Sequence, residues 1–178
     1  MARQVIYSGA GDGMVVAWQL HKADGELKAK LDSAVYSLNV SKQFLYAGSR
    51  MGSVFMFQLN PFNQIKQAAF SRASVFEIIA LQDGRLALAC EDGYIRLTDA
   101  YLNLIWQTKI SVKSVRTLIE MHGELYAGTS DGTIVKVNLK GDILETWQAH
   151  NGTVFSLAIN PRSKSLVSGG KDACLKMF

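Results

Sequence analysis

From Glu124 to Leu139 the chain reads ELYAGTSDGTIVKVNL: an apolar run closing on Ala127 and Gly128, a turn at Asp131-Gly132, and a second run of alternating side chains. Asp-Gly between two such runs predicts a β-hairpin with a two-residue type I′ turn, which needs φ > 0 at both central positions. A lone hairpin is marginal in water, so other elements must cover its faces. The same pattern returns along the whole chain. Aligned on the turn there are five copies, at Asp12-Gly13, Met51-Gly52, Asp92-Gly93, Asp131-Gly132 and Asp172-Ala173, whose second turn residues are 39, 41, 39 and 41 apart. A fixed period of this length is the signature of a repeat architecture.

The register holds residue by residue. Six positions before the turn acid stand Ile6, Leu45, Leu86, Leu125 and Leu166, and three before it stand Gly9, Gly48, Ala89, Gly128 and Gly169. The small residues imply a close backbone approach that a side chain would block. Three positions past the acid come Val15, Val54, Ile95, Ile134 and Leu175. Ahead of four hairpins runs a third strand pattern, AVYSL (Ala34–Leu38), SVFEI (Ser74–Ile78), SVRTL (Ser114–Leu118) and TVFSL (Thr153–Leu157), with its valines 40, 40 and 39 apart. After four hairpins comes a more polar segment: Glu26–Leu31, Gln64–Phe70, Leu104–Ile110 and Ile143–Ala149. Its lysines and glutamines suit an outer edge strand, where charge discourages pairing with other chains. Four antiparallel strands per forty residues, graded from buried to polar, describe an all-β chain of β-propeller blades.

On these motifs the chain resembles the WD-repeat β-propeller family over its whole length. The last copy matches best: His150, Val154 and Leu157, Asn160-Pro161, LVSGG at Leu166–Gly170, Asp172, and a closing Lys176-Met177-Phe178. More loosely, the chain is similar to the N-terminal part of small bacterial proteins made of a single such propeller. The resemblance implies a structural tetrad of His, a Ser or Thr two residues before the turn Asp, that Asp, and a Trp six residues after it. No copy has the full set. Ala10, Ser49, Cys90, Thr129 and Gly170 hold the hydroxyl position, and Trp18, Phe57, Thr98, Val137 and Phe178 the Trp position. His150 is the one family histidine, with a structural role as its expectation. Apolar packing between blades is therefore expected to hold the chain together in place of a buried polar network.

The expected units are about 1–32, 33–72, 73–112, 113–150 and 151–178, one propeller domain or propeller fragment. The first lacks an inner strand and the last an outer one, giving 3 + 4 + 4 + 4 + 3 = 18 strands, or four and a half to five blades. Seven blades, the commonest number in the family, would need roughly 280 residues. Three expectations stand: a fragment or truncated relative of a larger propeller, a five-bladed ring with a defective seam, or an arc that completes itself by self-association through its open ends.

Composition narrows the rest. About half of the 178 residues are apolar, with no block of like charge, as in a globular domain. The net charge of +4 comes from 19 scattered Lys and Arg, which argues against nucleic acid. No apolar run reaches the roughly 18 residues of a membrane span, and the first four residues lead into a strand pattern without a secretory apolar region. Cys90 and Cys174 match neither metal nor redox spacing and read as buried free thiols, which suits a reducing, cytoplasmic setting.

Catalysis needs an acid, a base and a nucleophile within reach of one another. The acids instead recur at turns: Asp12, Asp92, Asp131 and Asp172 beside Gly13, Gly93, Gly132 and Ala173, with Gly52 in the copy that has Met51. His21 and His122 fall in loops. Gly11-Asp12-Gly13 is not followed by a helix and fails as a phosphate loop. No enzyme activity, cofactor or metal is expected. What remains is a binding surface. The resemblance implies docking on the face formed by the starts of the inner strands and the hairpin turns. Carried over by position, the partner-binding candidates are Tyr36, Arg50, Phe76, Glu91, Arg116, Phe155 and Lys171. The aromatics would act as anchors and the arginines as carboxylate clamps; the alternative is that these aromatics simply pack against the next blade. The expected function is a non-catalytic scaffold for a protein or peptide. The alternatives are a small-ligand or carbohydrate-binding propeller, or the targeting module of a larger protein.

Overall fold

The computed structural model describes residues 5–20 and 24–178. His21 and the first four residues lie outside them. The chain divides into two compact units, residues 1–78 and 79–178. All of the described regular structure is β, in five antiparallel sheets.

In the first unit, β1 (Val5–Gly9), β2 (Met14–Gln19) and β3 (Glu26–Lys30) form a three-stranded sheet in chain order. β4 (Val35–Ser41), β5 (Phe44–Ser49), β6 (Ser53–Leu59) and β7 (Phe62–Ala69) form a four-stranded one, also in chain order. The unit boundary falls inside β8 (Val75–Ala80), which begins the sheet completed by β9 (Leu86–Cys90), β10 (Tyr94–Thr98) and β11 (Leu104–Lys109). The second unit continues with the sheet of β12 (Val115–Met121), β13 (Glu124–Thr129), β14 (Thr133–Asn138) and β15 (Ile143–Gln148), and ends with β16 (Val154–Ile159), β17 (Leu166–Gly170) and β18 (Leu175–Met177).

Burial follows position within each sheet. In the four-stranded sheets the second strands are the driest, with every residue of β5 and β9 buried, whereas β7, β11 and β15 are mostly exposed. The first unit packs Val15, Val35, Leu45, Ala47, Phe55 and Phe57 into one core. In the second, Ala89, Leu97, Val115, Ala127 and Val137 share one cluster, and Ile134, Ala149, Val154 and Leu166 another. Each fully buried Val, Leu, Ile or Phe among them stabilises by about 1.5–3 kcal/mol. Glycines before the turns let the next inner strand in: a Cβ on Gly9 or Gly128 would lie 2.4 or 2.7 Å from Cγ1 of Val35 or Val154.

The hairpin turns differ from the expected type I′. Ala10 O accepts from Gly13 N at 3.0 Å while Ala10 N donates to Met14 O at 3.2 Å, leaving a loop of three residues. Gly132 has φ +90, and Asp131 is not among the residues of positive φ. This is the three-residue hairpin loop with a left-handed glycine at its last position, so the acid needs no left-handed backbone. Ala173 fills the same place with φ 60, an alanine in a conformation that suits glycine.

Candidate functional site

Backbone hydrogen bonds bring three of the hairpin turns to the start of their own inner strands. Arg50 N donates to Ala34 O at 2.9 Å, Ser130 N to Ser114 O at 2.9 Å, and Lys171 N to Thr153 O at 2.8 Å. The inner strands bulge just here, between Val35 and Ser37, Val115 and Thr117, and Val154 and Ser156. A bulge re-aims the side chain it carries. The residue re-aimed is Tyr36, Arg116 or Phe155.

In the first unit, Tyr36 and Phe76 stack with ring centroids 5.6 Å apart and planes at 27°. Tyr36 is 46% exposed, so the pair presents an aromatic surface that packing has not consumed. Phe76 is half-buried and Arg50 exposed. Ser37 Oγ and Asn39 Nδ2 donate to the carbonyls of Val75 and Ile78, which fixes the two inner strands side by side beneath the rings. In the second unit Phe155 is 55% exposed, Glu91 and Lys171 are exposed and Arg116 is half-buried.

The turn acids are not equivalent. Asp12 accepts from Met14 N. Asp92 makes a two-pronged ion pair with Arg96, at 3.0 and 2.6 Å, and Arg96 also donates to Gln107. Arg96 is buried, with its guanidinium 4.9 Å from the Tyr94 ring centroid. The sequence reading passed over it. The available signal was a cation in the middle of β10, a strand covered on both faces, four residues after the turn acid. Asp131 accepts from Thr129, Thr133 and Ser111. Burial opposes its ionisation, but these hydrogen bonds hold the carboxyl below the usual carboxylate range.

The last copy corrects the expectation that no polar network is buried. His150 Nε2 lies 2.7 Å from Ser168 Oγ, and Nδ1 lies 2.8 Å from Asp172 Oδ1. His150 and Ser168 are each 1% exposed. The hydroxyl comes from four residues before the acid, not two. A Cβ on Gly170 would stand 2.3 Å from the imidazole Cγ and Nδ1, so only glycine leaves room for the ring there. Asn151 N donates to Asp172 at 3.0 Å and, with His150 and Cys174 N, brings its carboxyl down to about 2. Ser, His and Asp in this order also describe a nucleophilic triad, but a hydroxyl this deeply buried has no surface on which to meet a substrate.

Cys90 is buried as expected, and burial pushes its thiol up to about 11. Cys174, expected to be buried, is instead exposed, in the turn that leads into β18. Among the described residues no group of three or more His, Cys, Asp or Glu side chains is placed to hold a metal ion. No helix among them is long and apolar enough to cross a membrane.

Residues 141–178 match the family model described as WD domain, G-beta repeat. The WD40 β-propeller domain of Doa1 superposes with a TM-score of 0.85 at 21% identity, over 98% of this chain and 60% of that one. The computationally designed protein Ika8 gives 0.84 at 20% identity, over 100% of this chain and 56% of that one. A chain of a mitotic checkpoint complex gives 0.81 at 19%, over 93% and 53%. At these identities the likeness is one of fold. The chain spans little more than half the length of these structures. The fold is that of a β-propeller, present in part, and residues 141–178 carry a WD-type repeat.

Proposed function

We propose that this chain is a non-catalytic scaffold, a cytoplasmic propeller domain or part of one, that holds a protein or peptide partner on the face where hairpin turns meet inner-strand starts. WD40 propellers commonly bind proteins, and one of the fold matches is a chain of a multi-protein complex. The observation that carries the reading is the exposed Tyr36–Phe76 stack. Two rigid aromatic rings offer a large contact area at little cost in side-chain entropy, the usual make-up of a binding hot spot. Arg50 would clamp a carboxylate beside it. In the second unit the corresponding candidates are Glu91, Arg116, Phe155 and Lys171, with Phe155 as the exposed aromatic and Arg116 as the carboxylate clamp.

The test is a Phe76→Ala/Arg116→Ala variant, checked for folding by circular dichroism and compared with the parent chain in quantitative partner capture. Loss of specific partners with the fold intact is expected. An unchanged partner set overturns the site assignment.

A further inference from the structure

The segment that carries the chain from β15 into β16 contains Asn151-Gly152, and of the seven asparagines in the sequence only Asn151 precedes a glycine. A glycine has no side chain to shield its own amide nitrogen from the carboxamide of the residue before it. Asn151 is exposed and Gly152 half-buried, so water reaches the pair. Most of the other asparagines are protected. Asn60 and Asn160 precede prolines, which carry no N–H. Asn39 donates to Ile78 O, Asn103 to Asp99, and Asn138 both donates to Asp142 and accepts from the N–H groups of Lys140 and Asp142.

A second observation concerns the glycine nitrogen. An aspartate before a glycine can cyclise in the same way, yet in four Asp-Gly turns the glycine N–H is engaged. Gly13 donates to Ala10 O at 3.0 Å, Gly84 to Leu81 O at 2.9 Å, Gly93 to Cys90 O at 3.2 Å and Gly132 to Thr129 O at 3.3 Å. Gly152 N donates to none of the described residues, and the Asn151 carboxamide has no hydrogen-bond partner among them. The backbone on either side is held: Asn151 N donates to Asp172 Oδ2 at 3.0 Å, and Lys171 N to Thr153 O at 2.8 Å. The pair is thus a fixed, open bend, with Gly152 at φ +107, a left-handed conformation that favours glycine.

We propose that Asn151 is a self-modification site, which converts to aspartate and isoaspartate in the folded chain and so places a new carboxylate beside Asp172. Gly152 N loses its proton to hydroxide and attacks Asn151 Cγ. The N–Cγ bond forms, the Cγ–Nδ2 bond breaks, and the side-chain nitrogen takes a proton from water and leaves as ammonia. Water then opens the cyclic imide. Breaking the new N–Cγ bond gives aspartate; breaking the original peptide bond gives isoaspartate, in which the chain runs through the side chain and is one atom longer. The sum is one water consumed and one ammonia released, with no change of oxidation state.

Either product puts a negative charge on the residue whose N–H the Asp172 carboxylate accepts. The charge arises on the turn face, where the Lys171 side chain lies against Gly152, 3.4 Å from where a Cβ would stand. Isoaspartate also lengthens the link between the buried His150 and β16. None of this rests on the partner-binding reading above.

The test ages the full chain in mildly alkaline buffer, with and without urea. Conversion at each asparagine is followed by peptide mass spectrometry, and isoaspartate by its acceptance of a methyl group from an isoaspartyl methyltransferase. In the folded chain Asn151 is expected to convert about tenfold or more faster than any other asparagine, at a rate that rises with pH. Asn151→Gln should abolish methyl acceptance. An Asn151 that stays intact in the folded chain and converts only in urea overturns the proposal. So does a product that is aspartate alone, because direct hydrolysis would then bypass Gly152.

Discussion

The imidazole of His150 lies 2.8 Å from Asp172 and 2.7 Å from Ser168, so one buried ring ties the segment leading into β16 to both β17 and its turn. The carboxylate can only accept, which assigns a proton to Nδ1; in the neutral ring Nε2 then accepts from the serine hydroxyl. Replacing His150 with Ala leaves a cavity and two stranded polar groups, and is expected to cost about 2–4 kcal/mol. Ser168→Ala removes one hydrogen bond and is expected to cost about 1 kcal/mol. Urea denaturation of the two variants measures both, and equal, negligible losses would show that the network carries no stability.

The same network sets a pH dependence. The Asp172 carboxyl titrates at about 2 in the fold, against 3.8 for the free group. A depressed carboxylate stabilises fully above its unfolded value, and that contribution is lost as pH falls from 3.8 towards 2. Asp131 acts in the same direction. Thermal melts on either side of this window should show Asp172→Asn losing less stability on acidification than the parent chain. A parallel decline in both would place the acid sensitivity elsewhere.

Ala173 is the one turn residue of its series that is not glycine, held at φ 60. Ala173→Gly relieves a left-handed alanine whose strain is about 1–2 kcal/mol, set against the added freedom of glycine in the unfolded chain. The net expectation is a small rise in melting temperature. In contrast, Gly132→Ala should destabilise clearly, since its Cβ would lie 2.0 Å from His150 O.

The repeat, the strand order and the small residues at blade contacts were legible because the hairpin is written five times and the inner and outer strands four times each, and a pattern that recurs at forty-residue spacing outweighs local ambiguity. The turn type was not, because Asp-Gly suits two loop lengths and only the hydrogen bond from Gly13 N to Ala10 O separates them. Ser168 escaped because the family spacing pointed to Gly170, and no spacing rule says that a missing Cβ there makes space for the His150 ring. Arg96 escaped for a related reason: its partner Asp92 already had a sufficient explanation as a turn residue. The candidate surface was legible only as positions. The contact between Tyr36 and Phe76, forty residues apart in sequence, depends on how two inner strands lie against each other.

The Arg96–Asp92 pair is expected to be asymmetric under mutation. Asp92→Ala strands a buried guanidinium and should cost about 3–5 kcal/mol. Arg96→Met keeps most of the buried volume and leaves a carboxylate with partial access to water, so it should cost less. Chemical denaturation of the single and double variants gives the coupling. Equal costs for the two single changes would contradict the asymmetry.

The central claim is that the Tyr36–Phe76 stack is a partner-binding surface. Its most direct measurement is calorimetric titration of a purified, captured partner against the parent chain and against a Tyr36→Ala/Phe76→Ala variant of matched melting temperature. A central aromatic anchor carries 2 kcal/mol or more of binding energy, so affinity should fall about thirtyfold or further. Affinity unchanged within about twofold would contradict the claim.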